Sequence, residues 1–152
     1  MTKRYIPLKL QEFVRERAQN CCEYCISPSS HATQNHSNEH IFPESLGGET
    51  TAENLALACQ GCNNKKYNKT QAVDPISNAT VPLFHPRQDE WHEHFAWEPD
   101  CLILVGLTPT GRATIVTLDL NRQGVINLRR SLLREGLHPP AHRISDSIIP
   151  EK

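Results

Sequence analysis

No purely apolar run in this chain is longer than Cys101 to Val105, far short of the roughly 20 residues that a bilayer-spanning helix needs. The opening residues, Met1 to Pro7, lack the apolar centre of a secretory signal, so the expected compartment is the cytoplasm, away from membranes. Basic charge is also in short supply. With 16 Lys and Arg against 17 Asp and Glu, the formal net charge is −1, which excludes gripping a polyanion by bulk electrostatics and leaves only a local basic patch for that task. Internal repeats and low-complexity tracts are absent, which excludes a solenoid. A chain of 152 residues, 38% hydrophobic and 22% charged, is then expected to be one soluble globular unit with at most a small appendage.

What the chain does have is cysteine, six in all. In a chain with no secretory leader the thiols stay reduced, and paired cysteines more often bind metal than form disulfides. Cys22-Glu-Tyr-Cys25 and Cys59-Gln-Gly-Cys62 are two CxxC pairs, each able to aim two thiolates at one tetrahedral zinc ion. The interval from Cys25 to Cys59 is longer than in a zinc ribbon, so something is inserted between the knuckles. Cys21 has no partner at knuckle spacing, and Cys101 is expected to be a small core residue.

The periodicity predicts mixed α+β architecture. Leu10, Phe13, Val14 and Ala18 recur at helical spacing over about residues 8 to 19. Ser27 to Asn38 is polar and aperiodic, an exposed loop in which His31 and His36 are expected to face solvent. Glu39 to Pro43 and Leu55 to Ala58 are short strand candidates joined through a Gly47-Gly48 turn, and a polar helix is expected to begin near Asn63. Asp74 to Arg87 looks like a surface connector. Beyond it, Leu102 to Leu107 and Ala113 to Leu118 are expected to form a hairpin around Thr108 to Arg112, followed by a helix over 125 to 135. Trp91, Phe95 and Trp97 are expected to pack over that hairpin rather than mark a second metal site with His92 and His94. The expected division is 1–74 as one unit, 75–137 as an extension packed on it, and 138–152 as a flexible tail.

Between the knuckles stand Glu39-His-Ile-Phe-Pro43, Gly47-Gly48 and Asn54-Leu55, with Asn63 and Lys66 just after the second pair. Over roughly residues 20 to 70 this pattern resembles the HNH endonucleases in their zinc-stapled, four-cysteine form. The resemblance implies a ββα-metal unit, two antiparallel strands and a helix around one divalent cation, to which the periodicity adds a helix before it and the hairpin and helix after it. It also implies hydrolysis of DNA phosphodiester bonds, with 5′-phosphate and 3′-hydroxyl products. In this reading His40 is the general base, Glu39 and Asn63 are cation ligands, Asn54 orients the His-bearing loop, and zinc on Cys22, Cys25, Cys59 and Cys62 is structural.

The chemistry agrees with those roles. A phosphodiester anion repels nucleophiles, so its hydrolysis needs a cation to neutralise developing charge, and a neutral imidazole can take a proton from water at physiological pH. A carboxylate and an amide oxygen are hard donors, which favours Mg²⁺ or Mn²⁺. Because neighbours on a strand point to opposite faces, Glu39 and His40 can share one cation only if the strand is distorted there. Lys65, Lys66 and Lys69, and Arg129, Arg130 and Arg134 on the later helix, are the basic clusters expected to meet phosphates of DNA, with RNA as the second candidate. A single unit cuts one strand at a time and needs to be no more than a monomer or weak dimer. The competing reading is a non-catalytic zinc module that binds nucleic acid or protein; such a module has no use for a base beside a second cation seat.

Overall fold

Pro7 caps the first helix, and the chain turns helical immediately after it: in the computed structural model, which describes residues 5–141, α1 runs Leu8–Arg17. Its apolar stripe buries Val14 and, just beyond the helix, Ala18, with Ile6 and Leu10 partly covered, against Leu55 and Leu57. Phe13 departs from the expected stripe. It is half exposed beneath the guanidinium of Arg17, 5.1 Å from the ring centroid, while Arg17 donates to the carbonyls of Ala52 and Leu55 at 2.8 Å each.

Leu55–Ala58 forms β2, buried along its whole length, and pairs antiparallel with β1, Ser37–His40. The register sets His40 opposite Leu55 and Glu39 opposite Ala56. Helix α2, Gln60–Lys66, starts earlier than expected because Cys59 is its N-cap: the sulfur accepts from the Cys62 N–H. These three elements are the ββα unit, and the chain is α+β as its sequence predicts.

Two parts of the extension differ from expectation. The connector holds the turn and second strand of a hairpin, β3 Gln71–Val73 with β4 Thr80–Pro82, whose turn is organised by Asp74: its carboxylate accepts from Ser77 Oγ at 2.7 Å and from the N–H groups of Ile76 and Ser77. A lone carboxylate turn of this kind leaves little apolar periodicity to read. Downstream, Leu104–Gly106 is a strand, β6, but its partner is β5, Phe95–Trp97, which follows the short helix α3, Trp91–His94. Residues 109–118 are helix α4 instead of a strand. The reason is the Thr108-Pro109 pair: Thr108 Oγ1 accepts from Gly111 N at 3.0 Å and Pro109 occupies the first turn, so the pair that resembled a hairpin loop is a helix start. Helix α5, Gln123–Arg134, completes the fold.

The larger core cluster joins both parts of the chain: the four knuckle cysteines, Tyr24 and Ile26 pack with Trp91, Phe95, Trp97, Leu118 and Leu120. The aromatic trio packs into this core, but not over the expected hairpin, since Phe95 and Trp97 themselves form β5; Cys101 is a core residue. His138, placed in the expected tail, is buried edge-on to Trp97 and donates from Nε2 to the Cys101 carbonyl at 2.8 Å, so the packed extension reaches at least that far. The rest of the expected tail from residue 142 lies outside the described residues. Among the described residues no helix is long and apolar enough to cross a membrane.

Candidate functional site

The knuckles converge. The sulfurs of Cys22, Cys25, Cys59 and Cys62 all lie within 4.8 Å of one another, and every one of these residues is buried. Each knuckle turns its backbone onto its own first sulfur: Cys25 N–H lies 3.5 Å from Cys22 Sγ, and Cys62 N–H 3.4 Å from Cys59 Sγ. Four reduced sulfurs in a closed cage are the donor set of a structural zinc site. Burial pushes the Cys22 thiol well above its ordinary range, so a thiolate there calls for a cation. Neither Cys21 nor Cys101 joins the cluster. The first knuckle is docked on β2 by Glu23, which accepts from Leu57 N through Oε2 and pairs with Arg87 through Oε1.

One contact to the cage was missed in reading the sequence. Arg122, at the joint between α4 and α5, places its guanidinium against two of the sulfurs, with Nη2 3.4 Å from Cys59 and Nη1 3.7 Å from Cys62. Burial works to lower its pKa but is outweighed by the thiolates of Cys62, Cys25 and Cys59, so the net direction is upward. Nothing in the spacing of a single arginine sixty positions away could have announced it.

The second centre is a cleft of about 380 Å³ lined by residues that include Asn38, Glu39, His40, Glu44 and Asn63. β1 supplies one wall, Pro43 to Ser45 another, and Asn63 of α2 with Tyr67 and Asn68 just beyond it the third. His40 Nε2 lies 2.9 Å from Thr50 Oγ1. Asn54 acts on the loop that follows His40: its Oδ1 accepts from Phe42 N–H at 2.8 Å, and its Nδ2 donates to the carbonyls of Phe42 at 3.0 Å and Glu49 at 2.8 Å. The loop closes through Gly47, at φ 97°, and Gly48, where a Cβ would collide with the Phe42 carbonyl. The Gly47-Gly48 pair is thus required by backbone geometry and not merely tolerated.

The predicted strand distortion at Glu39-His40 is absent. β1 stays in register through His40, so Asn38 and His40 share one strand face, while Glu39 lies deeper, 5% exposed. There its Oε2 accepts from Tyr24 OH at 2.6 Å and its Oε1 is paired with Lys66. Burial raises the Glu39 pKa, and Lys66 and Tyr24 pull it back only in part. Glu39 as an openly presented cation ligand therefore needs correction: its neutralising partner in this structure is Lys66. Lys66 is likewise not the phosphate contact expected of it, being 2% exposed and donating also to the Ile41 carbonyl at 2.8 Å. Lys65 and Lys69 are exposed.

The residue that reading by motif passed over is Asn38. Its Oδ1 is buried with no hydrogen-bond partner, and the residue lines the same cleft as His40 and Asn63. Strand alternation was the available signal, since Asn38 sits two positions before His40. Amide and carboxylate oxygens on this cleft suit a hard divalent cation.

The basic helix divides. Arg130 and Arg134 are exposed, but Arg129 is buried beneath the extension, donating to the carbonyls of Leu102 at 2.9 Å and Leu120 at 2.7 Å and stacking over Trp97 at 4.9 Å. Burial lowers its pKa to about 10. It cannot dock a nucleic-acid backbone as expected. His36 also departs from the solvent-facing loop reading: it is buried, with Nε2 donating to the Ser27 carbonyl at 2.9 Å.

Comparison with known proteins agrees with this geometry. No curated protein and no solved structure matches the chain. Residues 22–75, the stretch from the first knuckle cysteine to just past β3, match the family model described as HNH endonuclease, and that segment is similar to this family.

Proposed function

We propose that the cleft between β1 and α2 hydrolyses phosphodiester bonds of DNA, one strand per encounter, with a divalent cation, Mg²⁺ or Mn²⁺, as cofactor. The observation that carries the reading is the grip of Asn54 on Phe42 and Glu49: a side chain spends three hydrogen bonds fixing the loop beside His40, which a purely structural zinc module does not need.

His40 is the general base. Thr50 Oγ1, 2.9 Å from Nε2, holds the ring orientation, and the neutral imidazole takes the proton from the attacking water. Asn63 and Asn38 offer amide oxygens, and Glu39 joins them only by exchanging its contact with Lys66. The bound cation supplies charge neutralisation at the phosphate and the departing oxygen. Exposed Lys65 and Lys69, and Arg130 and Arg134 on α5, are the remaining candidates for phosphate contacts. The zinc cage holds the two knuckles, and with them β1 and α2, in register.

A plasmid-nicking assay with and without Mg²⁺ tests the reading. His40→Ala is expected to lose about 100-fold or more of the cleavage rate while binding DNA normally, because a missing base affects the chemical step alone. Nicking at the wild-type rate by His40→Ala, or no nicking by the wild-type chain with either cation, sinks it.

A further inference from the structure

We infer that Arg122 is an outer-sphere ligand of the zinc cage, and that the extension after residue 75 holds the metal in place by delivering this guanidinium onto the sulfurs of Cys59 and Cys62. The inference rests on the four-cysteine cluster being a zinc site.

Four thiolates around one dication leave a net negative cluster in a buried place, and such charge needs a counter-ion or hydrogen-bond donors. The knuckle N–H groups supply one donor each. Arg122 supplies the cation. Its Nη2 lies 3.4 Å from Cys59 Sγ and 3.8 Å from Cys62 Sγ, and its Nη1 3.7 Å from Cys62 Sγ, so the planar fork spans both sulfurs of the second knuckle. Nη1 is also anchored to the extension itself through the carbonyls of Asp119 at 3.2 Å and Leu118 at 3.4 Å. The joint that presents it is specific: α4 ends on Asp119 in the left-handed region, at φ 50°, and Arg122 caps α5.

The knuckle is shaped to receive it. A Cβ on Gly61, inside Cys59-Gln-Gly-Cys62, would overlap the Arg122 guanidinium, so the missing side chain is the space in which the guanidinium sits. Gly61 lies in the first turn of α2, where alanine is intrinsically the better helix former. A glycine kept for helix geometry alone has no reason to be there.

Two variants test this, with zinc release to a chromogenic chelator as the readout and far-UV circular dichroism as the fold check. Arg122→Gln is expected to release zinc about tenfold faster or more, the usual scale for loss of an outer-sphere partner, and Arg122→Lys to fall between it and wild type because an ammonium cannot fork to two sulfurs. Gly61→Ala keeps the arginine but pushes its guanidinium off the cage; it is expected to release zinc faster even though its helix propensity improves. In the Co²⁺-substituted protein both Arg122→Gln and Gly61→Ala should move the thiolate-to-cobalt charge-transfer band to lower energy, since sulfurs relieved of N–H donors are more electron-rich. If zinc release and the cobalt band match wild type in Gly61→Ala and in Arg122→Gln, Arg122 is only a packing residue. A wild-type chain that purifies without zinc, and takes up none, overturns the zinc assignment itself and this inference with it.

Discussion

Asn54 holds Phe42 by both of its backbone polar groups, accepting from the N–H at 2.8 Å and donating to the carbonyl at 3.0 Å. The same Nδ2 donates to Glu49, so one amide ties together the two ends of the loop that follows His40. Asn54→Asp keeps the acceptor and loses both donated bonds. It is expected to lower the single-turnover cleavage rate by about tenfold or more with a small change in melting temperature, since a group that orients a catalytic one acts through geometry. A rate equal to wild type would remove Asn54 from the positioning role.

The buried pair of Glu39 and Lys66 makes a stability prediction. Lys66→Met leaves the Glu39 carboxylate with only the Tyr24 hydroxyl, and breaking a buried pair in this way costs about 3–5 kcal/mol. The double variant Glu39→Gln with Lys66→Met is expected to recover most of that loss, which urea unfolding of the four proteins measures directly. Additive losses in the double variant would show that the two side chains do not depend on each other.

The three arginines of α5 should separate into two phenotypes. Arg129→Gln leaves the buried carbonyls of Leu102 and Leu120 without their donor and is expected to cost about 3 kcal/mol of stability, with the salt dependence of DNA binding unchanged. Replacing Arg130 and Arg134 together by Gln should do the reverse, leaving stability alone and flattening the slope of log binding constant against log salt. An unchanged slope in that double variant would make α5 a structural helix only.

Histidine burial predicts the acid limb of the stability curve. Burial lowers the pKa of His138 below its ordinary 6.5, only partly opposed by its hydrogen bond to Cys101, and burial likewise lowers that of His85. For both, the folded state binds fewer protons than the unfolded chain. Their contribution is complete above the ordinary value and is lost as pH falls through and below it. The urea midpoint should therefore drop between about pH 7.5 and about pH 5.5, and His138→Gln should make that drop shallower. A midpoint that rises on acidification contradicts the assignment.

The sequence by itself determined the parts whose signal is local. CxxC spacing named the four cage cysteines, the pairing of Glu39-His40 with Asn54 and Asn63 at their intervals marked the stretch similar to the HNH endonucleases, and helical periodicity placed α1 and α5. Local signals failed where one motif serves two structures: Thr108-Pro109 suits both a loop and a helix start, and only the Gly111 N–H reaching Thr108 decides for the helix. Charge was legible as composition but not as position. Lys66 and Arg129 look like their exposed neighbours along the chain, yet tertiary packing sinks both, because each finds acceptors that compensate its desolvation: Glu39 and Ile41 for one, Leu102 and Leu120 for the other. Arg122 is the clearest case of a role that only the tertiary structure decided. Its contact with Cys59 and Cys62 depends on the angle at which α4 hands over to α5, and a contact between residues so far apart in sequence is set by packing of the whole core, to which no window along the chain has access.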